Sequence, residues 1–271
     1  MLIKVEKDGT SLKKYLSDLG YSRRQITRMY TNNSVLVNGE HKPLTGILNI
    51  GDEIEISLIG KDEGVLLKKI DIIYQDDDVL IVNKPSGIVV HKDNEHKDNN
   101  LSSLLQKQIK KKVYPVLRLD KNVSGAMVYA LSSKKAAYLN NLREKGEMHK
   151  EYLAVVEGRL DNDEGEIRIN IKKDIKRYKV SADGKKAVTE YKYLGGNKNY
   201  SLYLVNIITG RSHQIRLSFA HLGHPIAGDL LYGSRNRKLN RIGLHCVRVC
   251  FDDIDIKVNL PKQLEDLIYE E

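Results

Sequence analysis

Apolar and polar positions along the chain follow two periods. At 52–56 acidic and apolar residues alternate with period two, which predicts a strand, because successive strand side chains point to opposite faces. Leu12, Leu16 and Leu19 recur at helical spacing, which predicts a helix with Ser11 as its N-cap. Helices are predicted on this basis over 11–19, 23–30, 101–112, 132–145 and 212–221, with a last one from Pro261. Strands are predicted over 35–39, 52–56, 70–74, 79–83, 126–131, 150–158, 166–171, 187–194, 200–208 and 244–260.

The order of these elements predicts an α+β protein with two domains. The first segment, 1–60, contains two helices followed by short strands. Residues 61–68 are charged and contain Gly64, so they form the predicted linker. In the remainder, 69–271, three alternating strands between 166 and 208 follow one another, which favours antiparallel pairing.

Composition narrows the class of protein. The 271 residues are 41% hydrophobic and 30% charged, as in globular proteins with a substantial core. No apolar run is long enough to span a bilayer and the first residues do not resemble a signal peptide, so we expect a cytoplasmic location and no membrane partner. Cys246 and Cys250 are more typical of free thiols than of a disulfide or half a zinc site.

Positive charge favours a polyanionic partner. The net charge is +9, and between positions 11 and 30 five basic residues stand against one acidic residue. In the second predicted helix Arg23, Arg24 and Arg28 lie away from the apolar stripe. By itself this cluster is equally compatible with a solvated helix face and with an RNA-binding face.

The stretch 115–125 carries the strongest candidate chemistry. Because the following run, 126–131, is short and mostly apolar, it predicts a buried strand with Arg118 and Asp120 at its mouth. Asn122 and Gly125 favour a turn after Asp120. For an arbitrary Arg-x-Asp sequence, a surface aspartate beside an ion pair is the ordinary explanation.

Two groups of potential metal ligands have simpler explanations. The acidic triplet 76–78 lies between two predicted strands and has no companion ligands at defined spacing, so a hairpin turn is the favoured interpretation. Histidines at positions 213, 221, 224 and 245 do not have the spacing of a standard zinc site. We therefore expect no metal ion.

Leu117-Arg118-Leu119-Asp120, followed by Ser124-Gly125, resembles the His-Arg-Leu-Asp and Thr-Ser-Gly signature of the RluA-type pseudouridine synthases. That family isomerises uridine to pseudouridine in ribosomal and transfer RNA. The resemblance implies that Asp120 is the catalytic nucleophile. The chain departs from the signature at Leu117, where the family usually has His, and at Val123, where it usually has Thr. Neither position carries the chemistry, so both departures concern substrate fit.

Four further stretches extend the resemblance from Asn83 to Gly233. They are 83–91, similar to Asn-Lys-Pro-x-Gly-x-x-x-His; 150–158, similar to Lys-x-Tyr-x-Ala-x-Val-x-Gly; 209–217, similar to Gly-Arg-Thr-His-Gln-Ile-Arg; and 221–233, similar to Gly-His-Pro-x-x-Gly-Asp-x-x-Tyr-Gly. The resemblance implies that Tyr152 stacks on the target base and takes part in proton transfer, although a tyrosine in a valine-rich strand is usually a core residue. It also implies that Arg216 pairs with Asp120.

The remaining basic residues of these motifs are assigned to the RNA. Arg118 is expected to occupy the space left by the flipped base, and Lys84 to support the wall of the active site. RNA contacts are expected from Lys84, Arg118, Arg211 and His213. If a helix runs over 212–221, His213 and Arg216 share one of its faces.

The first 60 residues resemble a small RNA-binding module first described in a ribosomal small-subunit protein, the S4-type domain. The resemblance rests on two helices, then Val-x-Val-Asn-Gly, then Gly-Asp-x-Ile. It implies that Arg23, Arg24 and Arg28 contact phosphates of structured RNA, which positions the RNA without specifying its sequence.

Together the resemblances imply a small N-terminal α/β RNA-binding domain. It is followed in the chain by a pseudouridine synthase fold with a mixed, mainly antiparallel central sheet. Isomerisation imports no group and has no net redox change, so we expect no cofactor. Ribosomal RNA, most of all that of the large subunit, is the first candidate substrate and transfer RNA the second, and we expect a monomer. Uridine methylation is disfavoured because no glycine-rich cofactor loop is present. A non-catalytic RNA-binding factor for ribosome assembly remains the alternative.

Overall fold

The chain forms two units in a computed structural model that describes residues 2–6, 8–21, 23–31, 34–56, 69–91, 100–175 and 177–269. One unit is Met1–Leu66 and the other is Leu67–Glu271. The boundary lies within the predicted linker 61–68, which is outside the described residues.

The first unit combines two helices with short antiparallel strands. Its elements are β1 (Leu2–Lys4), β2 (Thr10–Ser11), α1 (Leu12–Asp18), α2 (Arg23–Thr31), β3 (Val35–Val37), β4 (Ile47–Leu48) and β5 (Glu53–Ile56). The strands form one sheet in the order β1-β5-β3, and a separate pair, β2 and β4. Ser11 caps α1 as predicted, since its side chain accepts a hydrogen bond from the amide of Lys14.

Apolar side chains of the helices and strands close a core in this unit. Leu12, Leu16 and Ile26 are buried against Val35 and Ile54. The predicted helix 11–19 is shorter in the structure, because α1 ends at Asp18 and Leu19 is its C-cap residue, with a side chain that is 44% exposed.

The second unit contains the remaining elements. Its strands are β6 (Asp71–Gln75), β7 (Val79–Lys84), β8 (Tyr114–Pro115), β9 (Ser124–Ala130), β10 (His149–Glu157), β11 (Glu164–Lys173), β12 (Tyr178–Val180), β13 (Lys185–Gly196), β14 (Tyr200–Ile207), β15 (Leu244–Phe251) and β16 (Ile254–Lys257). Its helices are α3 (Leu101–Ile109), α4 (Ser133–Lys145), α5 (Gln214–His221), a short 3-10 helix (Leu230–Tyr232) and α6 (Lys262–Tyr269).

Eleven strands of this unit join in one sheet. Nine follow the order β12-β11-β13-β14-β10-β15-β9-β7-β6, while β16 pairs with β15 and β8 pairs with β9. Within the described residues, β15 and β9 are parallel and the other paired strands are antiparallel. The predicted mixed, mainly antiparallel sheet of an α+β protein is therefore confirmed.

The parallel contact of β9 with β15 depends on Gly125. This residue has φ +117°, and a Cβ atom there would lie 2.2 Å from the carbonyl oxygen of Cys246 on β15. Only glycine allows the two backbones to approach this closely. Gly125 therefore brings the loop before β9 next to the middle of the sheet.

Several predicted boundaries need correction. Helix α3 stops at Ile109 rather than at 112, because Lys110 adopts a left-handed conformation as its C-cap. The predicted strand 244–260 is a hairpin of β15 and β16, since the chain turns at Asp252, whose φ is +46°. Helix α5 begins at Gln214 rather than at 212. By contrast, α4 has the predicted cap Ser132 and the predicted end at Gly146.

None of the helices in the described ranges is both long enough and apolar enough to cross a membrane.

Candidate active site

Asp120 lies in the loop that leads into β9. Its side chain is 33% exposed, and its carbonyl oxygen accepts a hydrogen bond from the amide of Val123 at 3.1 Å, which closes a turn. All seven residues of β9 are buried behind this turn. The carboxylate is therefore held at the open end of a rigid strand.

Arg216 connects Asp120 to a second carboxylate. This α5 residue is 6% exposed, and its Nη1 donates to Asp120 Oδ2 at 2.7 Å. Its Nε and Nη2 donate to the two oxygens of Asp229 at 2.6 and 2.8 Å, a bidentate pair. Burial by itself lowers the pKa of Arg216, but the hydrogen bonds and charges of Asp229, and then of Asp120, raise it above its ordinary value. The predicted pairing with Asp120 is present, and Asp229 is an additional partner.

His213 approaches Asp120 from the residue before α5. It is the helix N-cap in a left-handed conformation (φ +56°), which turns its ring toward the carboxylate, with Nε2 3.6 Å from Asp120 Oδ2. Its Nδ1 lies 2.7 Å from the hydroxyl of Tyr232, which itself donates to the carbonyl oxygen of Tyr178. His213 is thereby linked through Tyr232 to the backbone of β12.

The imidazole is kept neutral by its surroundings. Burial lowers the pKa of His213, and this outweighs the opposite effect of the charge on Asp120. Although His213 is not inside the helix as predicted, it still converges with Arg216 on the same carboxylate oxygen.

Tyr152 is buried in the core beside this site. On β10 it lies opposite Cys246 of β15, next to a bulge, and its side chain is 6% exposed. Burial raises the pKa of the Tyr152 phenol well above 10, and the neighbouring Cys246 and the charge of Asp120 act in the same direction. The phenol therefore remains protonated at neutral pH.

Lys84 lies beneath the Asp120 loop. It is 0% exposed, and its ammonium donates to the carbonyl oxygens of Pro85, Lys121 and Val123 at 3.0, 3.1 and 2.8 Å. Burial lowers its pKa to about 7, although the charge of Asp120 opposes this effect. The expectation that Lys84 contacts RNA is therefore wrong, because the ammonium is enclosed by protein. The expectation that it supports the wall agrees with these contacts.

The structure describes the side chains of some, but not all, of the remaining residues that are predicted to contact RNA. Arg118 and Arg211 are exposed, and Arg211 Nε donates to the carbonyl oxygen of Lys186 at 3.1 Å. Arg23 is exposed on α2, whereas the side chains of Arg24 and Arg28 lie outside the described part of the chain.

A second buried guanidinium adjoins the same loop and was missed by the sequence analysis. Arg241 donates to the hydroxyl of Ser124, the first residue of β9, and burial lowers its pKa to about 10.

The contacts of Asp229 and Tyr232 were also not predicted, although both residues lie within the 221–233 motif. A buried arginine requires an anion or several acceptors. The acidic residue Asp229 in the motif after Arg216 was therefore the sequence signal for a second partner of Arg216.

The arrangement supplies the carboxylate of Asp120, the permanent guanidinium charge of Arg216 and the protonated phenol of Tyr152. Within the ranges that the structure describes, no group of three or more His, Cys, Asp or Glu side chains is placed to hold a metal ion. This set of side chains is suited to nucleophilic attack by Asp120 with proton transfer close by.

Comparisons with known proteins agree with this chemistry. The sequence model of the family described as RNA pseudouridylate synthase matches residues 78–221. An uncharacterized RNA pseudouridine synthase of Bacillus subtilis is 35% identical, over 92% of this chain and 87% of its own length. The ribosomal large subunit pseudouridine synthase D of Blochmanniella floridana is 34% identical, over 86% of this chain and 78% of its own length.

The fold is also that of solved structures with this activity in their titles. Human RNA Pseudouridylate Synthase Domain Containing 1 superposes with a TM-score of 0.62 at 24% identity, over 74% of this chain and 86% of that one. The matched segment contains Asp120, Tyr152 and Arg216. This chain therefore belongs to the RluA-type RNA pseudouridine synthases, which are isomerases.

Proposed function

We propose that this enzyme converts specific uridines of structured RNA to pseudouridine, with Asp120 as nucleophile, Arg216 as its ion-pair partner and Tyr152 as the residue that stacks on the base and exchanges a proton. The observation that carries the proposal is the position of Arg216 between Asp120 and Asp229. Its fork is held by Asp229, so one N–H remains directed at the oxygen of Asp120.

The reaction requires a carboxylate that stays ionised in a largely dry pocket. The bond between ribose C1′ and N1 of uracil breaks, and a bond between C1′ and C5 forms, with loss of the C5 proton and protonation of N1. Burial disfavours an ionised carboxylate, whereas an adjacent guanidinium favours it. Asp120 is suited to attack either the ribose or the base, and both routes remain open.

The target uridine must leave the base stack before the enzyme reaches this bond. Arg118 is exposed two residues before Asp120 and would fill the space that the uridine leaves. Tyr152 would stack on the extruded base, and because its phenol is protonated, it would act by donating or relaying a proton. Arg211 and His213 would complete the RNA contacts around the mouth of the site.

The first unit would bind folded RNA as an S4-like module. Its two helices followed by short strands support this assignment, as does the exposure of Arg23 on α2. Arg23, Arg24 and Arg28 would then contact phosphates. Large-subunit ribosomal RNA is the first substrate to test, since the Blochmanniella floridana relative bears that name, and transfer RNA is the second. We further propose that the enzyme works in the cytoplasm as a monomer.

The test compares wild type with Asp120→Asn on unmodified ribosomal and transfer RNA. The amide has nearly the shape of the carboxylate but is too poor a nucleophile, so pseudouridine formation should fall below detection while RNA binding is retained. Pseudouridine is scored by mass spectrometry of nucleosides. Wild-type turnover by Asp120→Asn would overturn the assigned mechanism, and a wild type inactive on every RNA would favour the role in ribosome assembly.

Tyr152→Phe separates stacking from proton exchange. The ring is retained but the hydroxyl is lost, so RNA binding should persist while turnover falls by about 100-fold or more. Tyr152→Ala should in addition weaken binding, because the stacking surface is removed. Single-turnover rates and filter-binding affinities on the same RNA measure the two effects. Unchanged turnover by Tyr152→Phe would leave Tyr152 with a packing role only.

A further inference from the structure

Residues 228–241 form a closed loop whose two ends touch. Gly228 has φ +75°, and a Cβ atom there would lie 2.0 Å from the carbonyl oxygen of Arg241, so only glycine permits this contact. The amide of Gly228 also donates to the hydroxyl of Ser234 at 2.8 Å, across the base of the loop. Compact surface loops of this kind, with ends in contact, frequently have a function of their own.

Both ends of the loop are bound to the residues around Asp120. At the first end, Asp229 holds the guanidinium of Arg216. At the second end, Arg241 donates to the hydroxyl of Ser124, and the amide of Ile242 donates to the carbonyl oxygen of Asn122 at 3.2 Å. The loop is therefore anchored on both sides of the nucleophile.

The middle of the loop is fixed by a set of polar contacts. Glu157 of β10 accepts hydrogen bonds through Oε1 from the hydroxyl of Ser234 at 2.5 Å, from the amide of Arg235 at 3.0 Å and from the amide of Asn236 at 3.1 Å. Asn236 in turn accepts from the amides of residues 238 and 239, both at 3.0 Å, and donates to the hydroxyl of Tyr200 at 2.9 Å. These contacts fix the backbone and leave the basic side chains free.

The basic side chains at the tip have no protein anion to bind. Arg235, Arg237 and Lys238 are exposed, and none has an acidic partner among the residues that the structure describes. Among the described residues, Glu157 is the carboxylate bound to this part of the loop, and it is engaged by backbone amides and a hydroxyl. Three exposed cations on a backbone fixed by hydrogen bonds concentrate positive charge that attracts a polyanion.

We propose that this loop tip binds backbone phosphates of the substrate RNA, an inference that rests on the proposed function. Phosphate is favoured over a base because the tip offers charge and N–H donors but no aromatic ring for stacking. Asp229 and Arg241 anchor the two ends of the same loop to residues around Asp120, so the tip and the catalytic carboxylate belong to one connected part of the unit. Contacts to phosphate add affinity without selecting a sequence.

The test neutralises the tip in a triple variant, Arg235→Gln, Arg237→Gln and Lys238→Gln. All three side chains are exposed, and the hydrogen bonds that Arg235 and Lys238 donate within the loop come from their backbone amides, so the fold should be retained. The matched control is Lys111→Gln, Lys112→Gln and Lys134→Gln. These exposed lysines adjoin β8 and the start of α4, at the end of β9 away from Ser124.

Binding to an unmodified transcript of large-subunit ribosomal RNA is measured from 50 to 300 mM salt, followed by steady-state turnover on the same transcript. For the tip variant, the slope of log affinity against log salt concentration should be smaller in magnitude by about 2 to 3 than for the wild type. This is a change of about 1 for each lost phosphate contact. Its KM should rise about tenfold or more with kcat unchanged, because the contacts contribute uniformly to binding. The control should match wild type.

An unchanged salt slope and KM in the tip variant would overturn the inference, as would an equal loss in the control variant. If the wild type binds this transcript but modifies neither it nor any transfer RNA, the proposed function is rejected. The inference about the tip is then still decided by the salt slopes, because they report phosphate contacts whether or not the RNA is modified.

Discussion

The Asp120 loop is held between two buried cations of opposite character. On one side Arg216 is paired with two carboxylates, and its pKa is raised. On the other side Lys84 is surrounded by three backbone carbonyl oxygens without a carboxylate bound to its ammonium, and its pKa falls to about 7. Around Lys84 burial outweighs the stabilisation of the charge, whereas around Arg216 the two carboxylates outweigh burial.

Asp120, the proposed nucleophile, is therefore supported by one contact that does not titrate and by one group whose charge depends on pH. Arg216 remains charged at every pH at which the protein is folded, so its hold on Asp120 does not titrate. Lys84 loses its charge as the pH rises through about 7. It then has two N–H groups to donate to the loop instead of three. The Arg216 side should therefore determine whether catalysis occurs, and the Lys84 side how it depends on pH.

Replacing Arg216 by Lys should have the largest effect. A lysine ammonium cannot reproduce the fork that binds Asp229 through two atoms and Asp120 through a third, so one buried carboxylate loses its partner. We expect kcat to fall by about 100- to 1,000-fold and the free energy of unfolding by ~3 kcal/mol. Single-turnover rates and urea unfolding measure the two losses.

Asp229→Asn is the matched control for this change. It keeps the shape of the partner but removes its charge, while the bond from Arg216 to Asp120 persists. An Arg216→Lys variant with more activity than Asp229→Asn would show that the contact with Asp120 is dispensable.

The titration of Lys84 should have an intermediate effect. As pH rises, its contribution to stability should increase while its contribution to activity decreases. The unfolded chain binds a proton at Lys84 up to pH ~10.4, but the folded chain only up to about pH 7. Between these values the unfolded state binds more protons, so this residue's contribution to the free energy of unfolding increases as pH rises. Below pH 7 both states are protonated and the cost of burying the charge is fully present.

Activity should move in the other direction. A neutral amine has two N–H donors for three carbonyl oxygens, so the Asp120 loop is held less firmly above pH 7. Lys84→Met should be about tenfold or more slower than wild type at pH 6.5, since the carbonyls lose their donors. The ratio of wild-type to Lys84→Met rates is measured from pH 6 to 9.5, with urea unfolding at each pH. A ratio that stays constant would contradict the assigned titration.

Ser124→Ala should have the smallest effect. The hydroxyl accepts an N–H of Arg241 and lies 2.7 Å from Nδ1 of His245, so its loss removes contacts of two buried groups. We expect a loss of ~1–2 kcal/mol in the free energy of unfolding and a change in kcat of less than about threefold, because Ser124 does not contact Asp120. A loss of activity as large as that of Arg216→Lys would place Ser124 in the catalytic group.

The limits of sequence-based prediction are visible in particular elements. Helix α4 was predicted at both ends, because Ser132 and Gly146 are local signals that act within one turn. The strand predicted over 244–260 was wrong, because the turn at Asp252 is a left-handed residue in the middle of an otherwise alternating pattern. The burial of Lys84 had no local signal, since its carbonyl partners lie in part 37 and 39 residues away.

The family, the α+β class and the identity of Asp120, Tyr152 and Arg216 as candidates followed from the sequence, because motifs and periodicity are properties of neighbouring residues. The second partner of Arg216, the left-handed placement of His213, the enclosure of Lys84 and the closed loop 228–241 were decided by the tertiary structure. Each of these depends on groups that are distant in the chain and come together only in the folded state. Burial and pairing, which set the charges around Asp120, are properties of that assembly and not of any segment.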